Sequence, residues 1–96
     1  MALQDRYDVE SIRNRSAESV YSRVERLLEE DRGLCPCETC VLDLVAFVLN
    51  RVTSRYTTSA LGNLHVDPPV ERKMRKEIDL AVEAGLKRLK QHPHHE

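Results

Sequence analysis

The stretch from 35 to 49 decides the fold, and it reads Cys-Pro-Cys-Glu-Thr-Cys-Val-Leu-Asp-Leu-Val-Ala-Phe-Val-Leu. Three cysteines lie within six residues and are followed by an apolar run that only Asp43 interrupts. We predict a helix from about Glu38 to Arg51, because a run with almost no polar face suits a helix that is buried on every side. A chain of 96 residues supplies few neighbours for such a helix. The run therefore also predicts a partner subunit.

An amphipathic helix is predicted before the cysteines. Its apolar residues recur at helical spacing, with arginines and glutamates opposite them. They are Ile12, Val20, Val24, Leu27 and Leu28, with Tyr21 beside them. Gly33 is expected to stop this helix, because glycine readily takes the backbone conformation that ends a helix.

A third helix is predicted at the other end of the chain. Asp67 is its expected N-cap and Pro68 lies in its first turn, and it ends near Gln91. Its apolar residues are Val70, Met74, Ile78, Ala81, Val82, Leu86 and Leu89. The hydroxyl-rich segment 53–66 predicts a loop that contains a short extended or helical piece.

The size and charge of the chain limit the class of protein to which it can belong. We predict one helical domain over 1–91 and a disordered tail over 92–96. The composition is typical of a soluble globular protein, with 41% hydrophobic and 32% charged residues, and the formal net charge of −1 argues against a nucleic-acid polymer as direct partner. No apolar run approaches the roughly 18 residues that cross a bilayer, and the N-terminus lacks the pattern of a signal peptide. We expect a cytoplasmic protein without membrane insertion.

The cysteines form the candidate metal site. Cys35, Cys37 and Cys40 place three sulfurs on one tight turn that leads into a helix. Both a helix N-terminus and a bound metal lower the pKa of a thiol. Structural zinc is held by four ligands in a tetrahedron and accepts thiolates readily. We therefore predict a structural zinc ion on these three sulfurs.

The motif leaves the fourth ligand open. Asp43 follows Cys40 by three residues, so on a helix it lies on the same face. His65, Asp31, a residue of a second subunit and a water molecule are the alternatives. Two other interpretations compete with zinc: three small, partly buried cysteines with an incidental disulfide, and a thiol redox switch.

A longer pattern surrounds the cysteines. The cluster Cys35-x-Cys37-x-x-Cys40 is followed by Asp43, by a buried helix that ends in Leu49-Asn50, and by Arg55-Tyr56 before Thr58. This order resembles the signature of the late-competence family ComFB, except that Ser54 stands where family members often have proline. The resemblance implies an all-α, intertwined homodimer of small three- to four-helix subunits, each with a central buried helix and a cysteine-bound zinc. It also implies a link to competence and type IV pilus regulation, binding of cyclic dinucleotides, and no enzymatic activity.

Several side chains suit a cyclic dinucleotide. Arginine binds phosphate or the O6/N7 edge of guanine in a bidentate manner, and an aromatic ring stacks on a base. Between Leu44 and Val66 there are two arginines and no carboxylate, and four cations crowd the first turns of the third helix. The four cations of the third helix could alternatively form a solvated surface. The predicted ligand residues are Arg51, Arg55, Tyr56, Thr58, Arg72 and Arg75.

The sequence thus favours a regulator that binds cyclic di-GMP, in preference to cyclic di-AMP, and relays the signal to an unknown protein effector in competence, pilus or motility control. The first alternative is a purely structural interaction module of the DNA-uptake machinery without a small ligand. The second is the thiol redox switch.

Overall fold

A computed structural model describes residues 2–30, 33–58 and 68–91. The elements in chain order are two short 3-10 turns (Leu3–Asp5 and Val9–Ser11), strand β1 (Arg13–Asn14), helix α1 (Arg15–Glu30), helix α2 (Glu38–Leu49), strand β2 (Tyr56–Thr57) and helix α3 (Pro68–Gln91). Each strand has only two residues, so the three helices make up most of the described fold. The prediction of a small all-α domain is confirmed.

The two strands connect the end of α2 to the beginning of α1. They pair antiparallel, with Arg13 opposite Thr57 and Asn14 opposite Tyr56. The short extended piece that was predicted within 53–66 is therefore present. The rest of that loop (59–66), the expected N-cap Asp67 and the tail 92–96 lie outside the described residues.

Local chemistry fixes where α2 begins and ends. Gly33 has a φ of +85°, a left-handed conformation that glycine adopts without strain, and it lies in the connection after α1. Cys37 is extended, and its Sγ accepts the backbone N–H of Cys40 at 3.4 Å, which makes Cys37 the N-cap of α2. At the other end the backbone N–H of Asn50 still bonds to the carbonyl of Ala46.

Helix α2 is the central element of the core, because it packs against both α1 and α3. Leu44 and Val48 are completely buried. The remaining apolar core residues come from all three helices and the connections; they are Val20, Val24, Leu27, Leu34, Cys40, Val52, Ile78, Ala81 and Val82.

A single chain covers only part of α2, as the sequence led us to expect when it also predicted a partner subunit. Leu42 is 57% exposed, Ala46 is also exposed, and Val45 and Leu49 are only half-buried. Two neighbouring helices can cover only part of the surface of a third. An apolar stripe at i, i+3, i+4, i+7 spacing therefore remains uncovered on α2.

The prediction for the first helix needs a correction at its start. Ile12 lies before α1 and is 45% exposed, because residues 13–14 pair with β2 and the helix begins only afterwards. Tyr21 is 53% exposed and Leu28 is 36% exposed. The inward face consists of Val20, Val24 and Leu27.

None of the described helices is both long and apolar enough to cross a bilayer.

Candidate metal centre and ligand-binding residues

The three cysteine sulfurs come together in the turn between α1 and α2. Each Sγ of Cys35, Cys37 and Cys40 lies within 4.8 Å of the other two. In a tetrahedral site with Zn–S bonds of about 2.3 Å, two sulfurs are about 3.8 Å apart. Shifts of about 1 Å at most would therefore bring these sulfurs onto one ion. The donor set and its spacing fit the predicted zinc.

The turn is held on both sides of the cluster. Leu34, directly before it, is buried in the core and only 5% exposed. Cys37 caps α2, and Cys40 lies in the first turn of that helix and is buried. The sulfurs are thus fixed to the N-terminus of α2, where the helix dipole favours negative charge.

The environment of Cys40 is unfavourable for a thiolate without a cation. Burial, followed by the hydrogen bonds and charges of the sulfurs of Cys37 and Cys35, raises the pKa of Cys40 to about 12. A divalent cation reverses this balance, because a coordinated thiol is deprotonated outright. The buried Cys40 thiol therefore favours its neutral form unless a metal is bound.

The described structure does not supply the fourth ligand from within the cluster. The compact group of possible ligand atoms consists of the three cysteines, and Asp43 is exposed and lies outside it. His65 and Asp31 lie outside the described residues. The assignment of Asp43 as a metal ligand stays a prediction.

Arg55 makes hydrogen bonds inside the protein. Its Nη1 donates to Ser16 Oγ at 3.0 Å and to the carbonyl of Thr53 at 3.1 Å. Ser16 is completely buried and donates its own hydroxyl proton to the carbonyl of Thr53 at 2.6 Å. The backbone of Arg55 is held too, because its N–H donates to Asn14 Oδ1 and its carbonyl accepts the N–H of Arg15 at 2.7 Å.

The same segment is tied to α3. The backbone N–H of Thr53 donates to Glu77 Oε1, and the hydroxyl of Thr53 donates to Glu77 Oε2 at 3.4 Å. Ser16, Asn14 and Glu77 therefore organise the segment that carries three predicted ligand residues. The sequence did not identify Ser16, Asn14 or Glu77 as supports of this segment, because the residues that they contact are 24 to 41 residues away along the chain. Asn14 and Ser16 beside a helix start were the only local signal.

The other residues after α2 are more open. The guanidinium carbon of Arg51 lies 4.4 Å from the centroid of the Phe47 ring, a cation–π contact, and the side chain is exposed. Tyr56 is 69% exposed. Thr58 is half-buried, and its carbonyl accepts the hydroxyl of Thr57 at 3.2 Å.

The two α3 arginines lie elsewhere. Arg75 lines a groove of about 470 Å³ between α1 and α3 and pairs with Glu71 at 3.5 Å. Arg72 and Arg75 also line a shallow groove along α3 with Lys76. Arg51, Arg55 and Tyr56 do not line either of these two grooves.

A smaller cavity of about 310 Å³ lies between α2 and α3. Its lining combines apolar side chains with one acid and one base: Asp43, Leu44, Phe47, Gly85, Arg88 and Leu89. Asp43 and an arginine of α3 therefore line the same cavity. No local sequence pattern indicates this cavity, because its two walls are about 40 residues apart along the chain.

The fold and the site define a small all-α protein with a three-cysteine candidate metal centre. Residues 13–93 match the family model described as late competence development protein ComFB. The match covers most of the chain, so the protein belongs to the ComFB family. Comparisons with curated proteins and with solved structures give no match.

Proposed function

We propose that this member of the ComFB family is a zinc-bearing, dimeric cytoplasmic regulator that binds cyclic di-GMP and relays the signal to a protein effector in competence, pilus or motility control. It acts by binding and carries out no catalysis. The observation on which the proposal rests is the group of three sulfurs at the N-terminus of α2. The metal, dimer and ligand parts of the proposal each have their own test.

The zinc would brace the turn between α1 and α2. Three thiolates and a fourth ligand would hold it, and it would supply the positive charge that the buried sulfur of Cys40 requires. The test is metal analysis of protein purified without added metal, followed by cobalt substitution, since thiolate–cobalt charge-transfer bands report sulfur ligands. One zinc per chain and its loss in Cys40→Ser support the site. A metal-free protein with a reversible disulfide would favour the redox switch instead.

A second copy of the chain would cover the uncovered stripe of α2. Leu42, Val45, Ala46 and Leu49 present apolar surface at the spacing of a helix–helix seam. Light scattering at micromolar concentration should give the mass of a dimer, and Leu42→Glu should give a monomer. Leu80→Glu is the matched control, because Leu80 on α3 is exposed to the same extent, 58% against 57%. A wild-type monomer contradicts the dimer.

The cyclic dinucleotide would bind beyond the C-terminal end of α2. Arg51 supplies an exposed guanidinium for phosphate and Tyr56 an exposed ring for stacking, whereas Arg55 shares its donors with Ser16 and Thr53. Thr58 adds a neutral donor to the same segment. Arg72 and Arg75 would add positive charge from α3, the helix to which Thr53 is tied through Glu77.

Calorimetric titration with cyclic di-GMP and cyclic di-AMP tests this ligand. We expect cyclic di-GMP to bind more tightly, and Arg51→Gln to weaken binding by about tenfold through the loss of one charge-assisted contact. Lys87→Gln removes the same charge from the exposed face of α3 and serves as control. Absence of heat from both dinucleotides with folded protein would refute the sensor function.

One observation favours the structural alternative. Arg55, at the centre of the predicted ligand segment, makes its contacts within the chain. If the protein is an interaction module without a small ligand, Arg51→Gln and Tyr56→Ala will leave its activity in DNA uptake unchanged.

A further inference from the structure

The first half of α3 has little support from the core. Helix α3 has 24 residues and packs against α2, which has 12, so the two helices are about 36 and 18 Å long. The buried residues of α3 all lie within 78–85, and none lies within 68–77. Met74 and Glu77, both half-buried, connect the segment 68–77 to the core and to Thr53. The other side of this segment faces solvent.

That outward side is rich in cations. Arg72, Lys73 and Lys76 are exposed, and none of the three forms an ion pair within the part of the chain that the structure describes. Arg75 is exposed as well and pairs with Glu71 at 3.5 Å. Cations in the first turns of a helix oppose its dipole and destabilise it. Residues that act against the stability of their own helix are typical of a binding surface.

An apolar side chain lies among these cations. Leu80 is 58% exposed, and it follows Lys76 by four residues and Lys73 by seven, so the three side chains lie in one row along the helix. Leu80 and Lys76 also line the shallow groove of about 420 Å³ along α3. Protein interfaces commonly place an apolar contact inside a rim of polar and charged groups. The outward side of α3 has this composition.

The charge of the groove indicates the chemistry of the partner. Its two acids are Asp79 and Glu83. Asp79 pairs with Arg23 of α1 at 3.0 Å, whereas Glu83 forms no ion pair with a described residue. Three unpaired cations in the groove and at its edge thus stand against one unpaired carboxylate. Such a positive surface complements a partner with an excess of carboxylates.

A membrane and a nucleic-acid polymer fit this surface less well than a protein. A membrane binds a helix through a wide apolar face, and on α3 that face is in the core, with Ile78, Ala81 and Val82 buried. The phosphates of a nucleic acid would meet Asp79 and Glu83 in the same groove, and the formal net charge of the chain is −1. A protein can present acids to the cations and a basic group to Glu83.

We propose that the outward face of α3 between Arg72 and Glu83 docks an acidic segment of a partner protein. The carboxylates of the partner pair with Arg72, Lys73 and Lys76, and an apolar side chain of the partner packs on Leu80. The inference rests on the proposed function only in taking this partner to be the protein effector. Lys73, Lys76 and Leu80 have no part in the proposed zinc or dinucleotide sites, so this surface has a test of its own.

The experiment uses full-length protein and two synthetic peptides of about 16 residues, a length of about 24 Å as a helix. One peptide carries leucines on one face and glutamates beside them, and the other has glutamine in place of every glutamate. Fluorescence anisotropy gives the affinities, and amide NMR locates the site. We expect the acidic peptide to shift the amides of Lys76 and Leu80 and to bind at least about tenfold more tightly than its neutral counterpart. Its affinity should fall about fivefold or more between 0.05 and 0.5 M salt.

Single substitutions test the residues of the surface. Lys73→Glu and Lys76→Glu should each weaken binding of the acidic peptide by about tenfold, and Leu80→Ala should do the same through the loss of the apolar contact. Lys90→Glu is the matched control, because it reverses the same charge at an exposed position of α3 about 15 Å beyond Leu80. It should change the affinity by less than about twofold. Circular dichroism and light scattering check that every variant keeps its fold and its mass.

The outcomes distinguish this surface from other occupants and from the sensor function. The proposal is overturned if the acidic peptide does not bind, if the neutral peptide binds equally well, or if Lys73→Glu and Lys76→Glu bind like Lys90→Glu. It is also overturned if Lys76→Glu changes the mass of the protein, or if phosphatidylglycerol vesicles or duplex DNA bind this face and the acidic peptide does not. If cyclic di-GMP binds and the peptide does not, the docking surface is refuted and the sensor function stands. If the peptide binds as expected and neither cyclic dinucleotide does, the docking surface stands and the sensor function is refuted.

Discussion

Replacing Ser16 by alanine tests how the segment after α2 is held. Ser16 is completely buried, and its hydroxyl makes two short hydrogen bonds, as donor to the carbonyl of Thr53 at 2.6 Å and as acceptor from Arg55 Nη1 at 3.0 Å, besides a long contact with Met74 Sδ at 3.8 Å. The substitution removes these contacts and leaves the helical residue otherwise almost unchanged in size. It therefore isolates the contribution of one oxygen atom.

The expected cost follows from these two bonds. A neutral buried hydrogen bond contributes about 1 kcal/mol, and one to a charged group about 1.5–3 kcal/mol when buried, less when half-exposed as for Arg55. The carbonyl of Thr53 keeps the guanidinium of Arg55 at 3.1 Å as a second donor, so it is not left unsatisfied. We expect Ser16→Ala to lower the free energy of unfolding by about 2 kcal/mol.

Thermal and urea unfolding, both at one fixed protein concentration, provide the measurement. For a domain of this size the loss corresponds to about 8–16 °C in Tm. Ser22→Ala on the exposed face of α1 is the matched control and should change stability by less than about 0.5 kcal/mol. If Ser16→Ala is as stable as this control, the hydroxyl does not hold the segment and the role given to Arg55 within the fold is wrong.

Three further changes test other parts of the structure. Gly85→Ala should destabilise the protein by about 1 kcal/mol, because its Cβ would lie 2.6 Å from Cδ1 of Leu44 and this overpacking exceeds the gain in helix propensity; equal or higher Tm would contradict the close approach. Cys40→Ser should lose zinc and part of the helical circular dichroism of α2. If this variant keeps one zinc per chain, Cys40 is not a zinc ligand. Arg23→Gln breaks the 3.0 Å ion pair between Arg23 on α1 and Asp79 on α3. In urea unfolding it should lower the free energy of unfolding by at most about 1 kcal/mol, and by less at high salt. A larger loss that does not depend on salt would contradict the assignment of a weak surface ion pair.

The parts of the fold that the sequence predicts are those that depend on local pattern. The bounds of α2 and the end of α3 follow from apolar runs and from cap chemistry within a few residues. The start of α1 could not be predicted, because Ile12 continues the helical period while residues 13–14 are paired with β2, which lies more than 40 residues later. Periodicity describes which face is apolar, and it does not report a competing strand partner.

The candidate site likewise has parts that the sequence predicts and parts that it does not. The three cysteines could be recognised as one cluster since they lie within six residues, and the fold brings their sulfurs together. The predicted role of Arg55 was based on charge alone, and charge does not show that Ser16 and Thr53 bind its guanidinium. Nothing in the sequence places Arg88 at the same cavity as Asp43.

The positions along α2 also restrict how metal and ligand can influence each other. Cys40, Leu44, Phe47 and Arg51 follow one another at spacings of three and four, so they lie along one side of the helix and its continuation. Cys40 and Arg51 are eleven residues apart, about 16 Å at the rise of an α-helix. A zinc ion on the cysteine turn therefore cannot touch a phosphate at Arg51. Any effect of zinc on ligand affinity has to pass through the order and position of α2, so chelation that leaves α2 helical should leave that affinity unchanged.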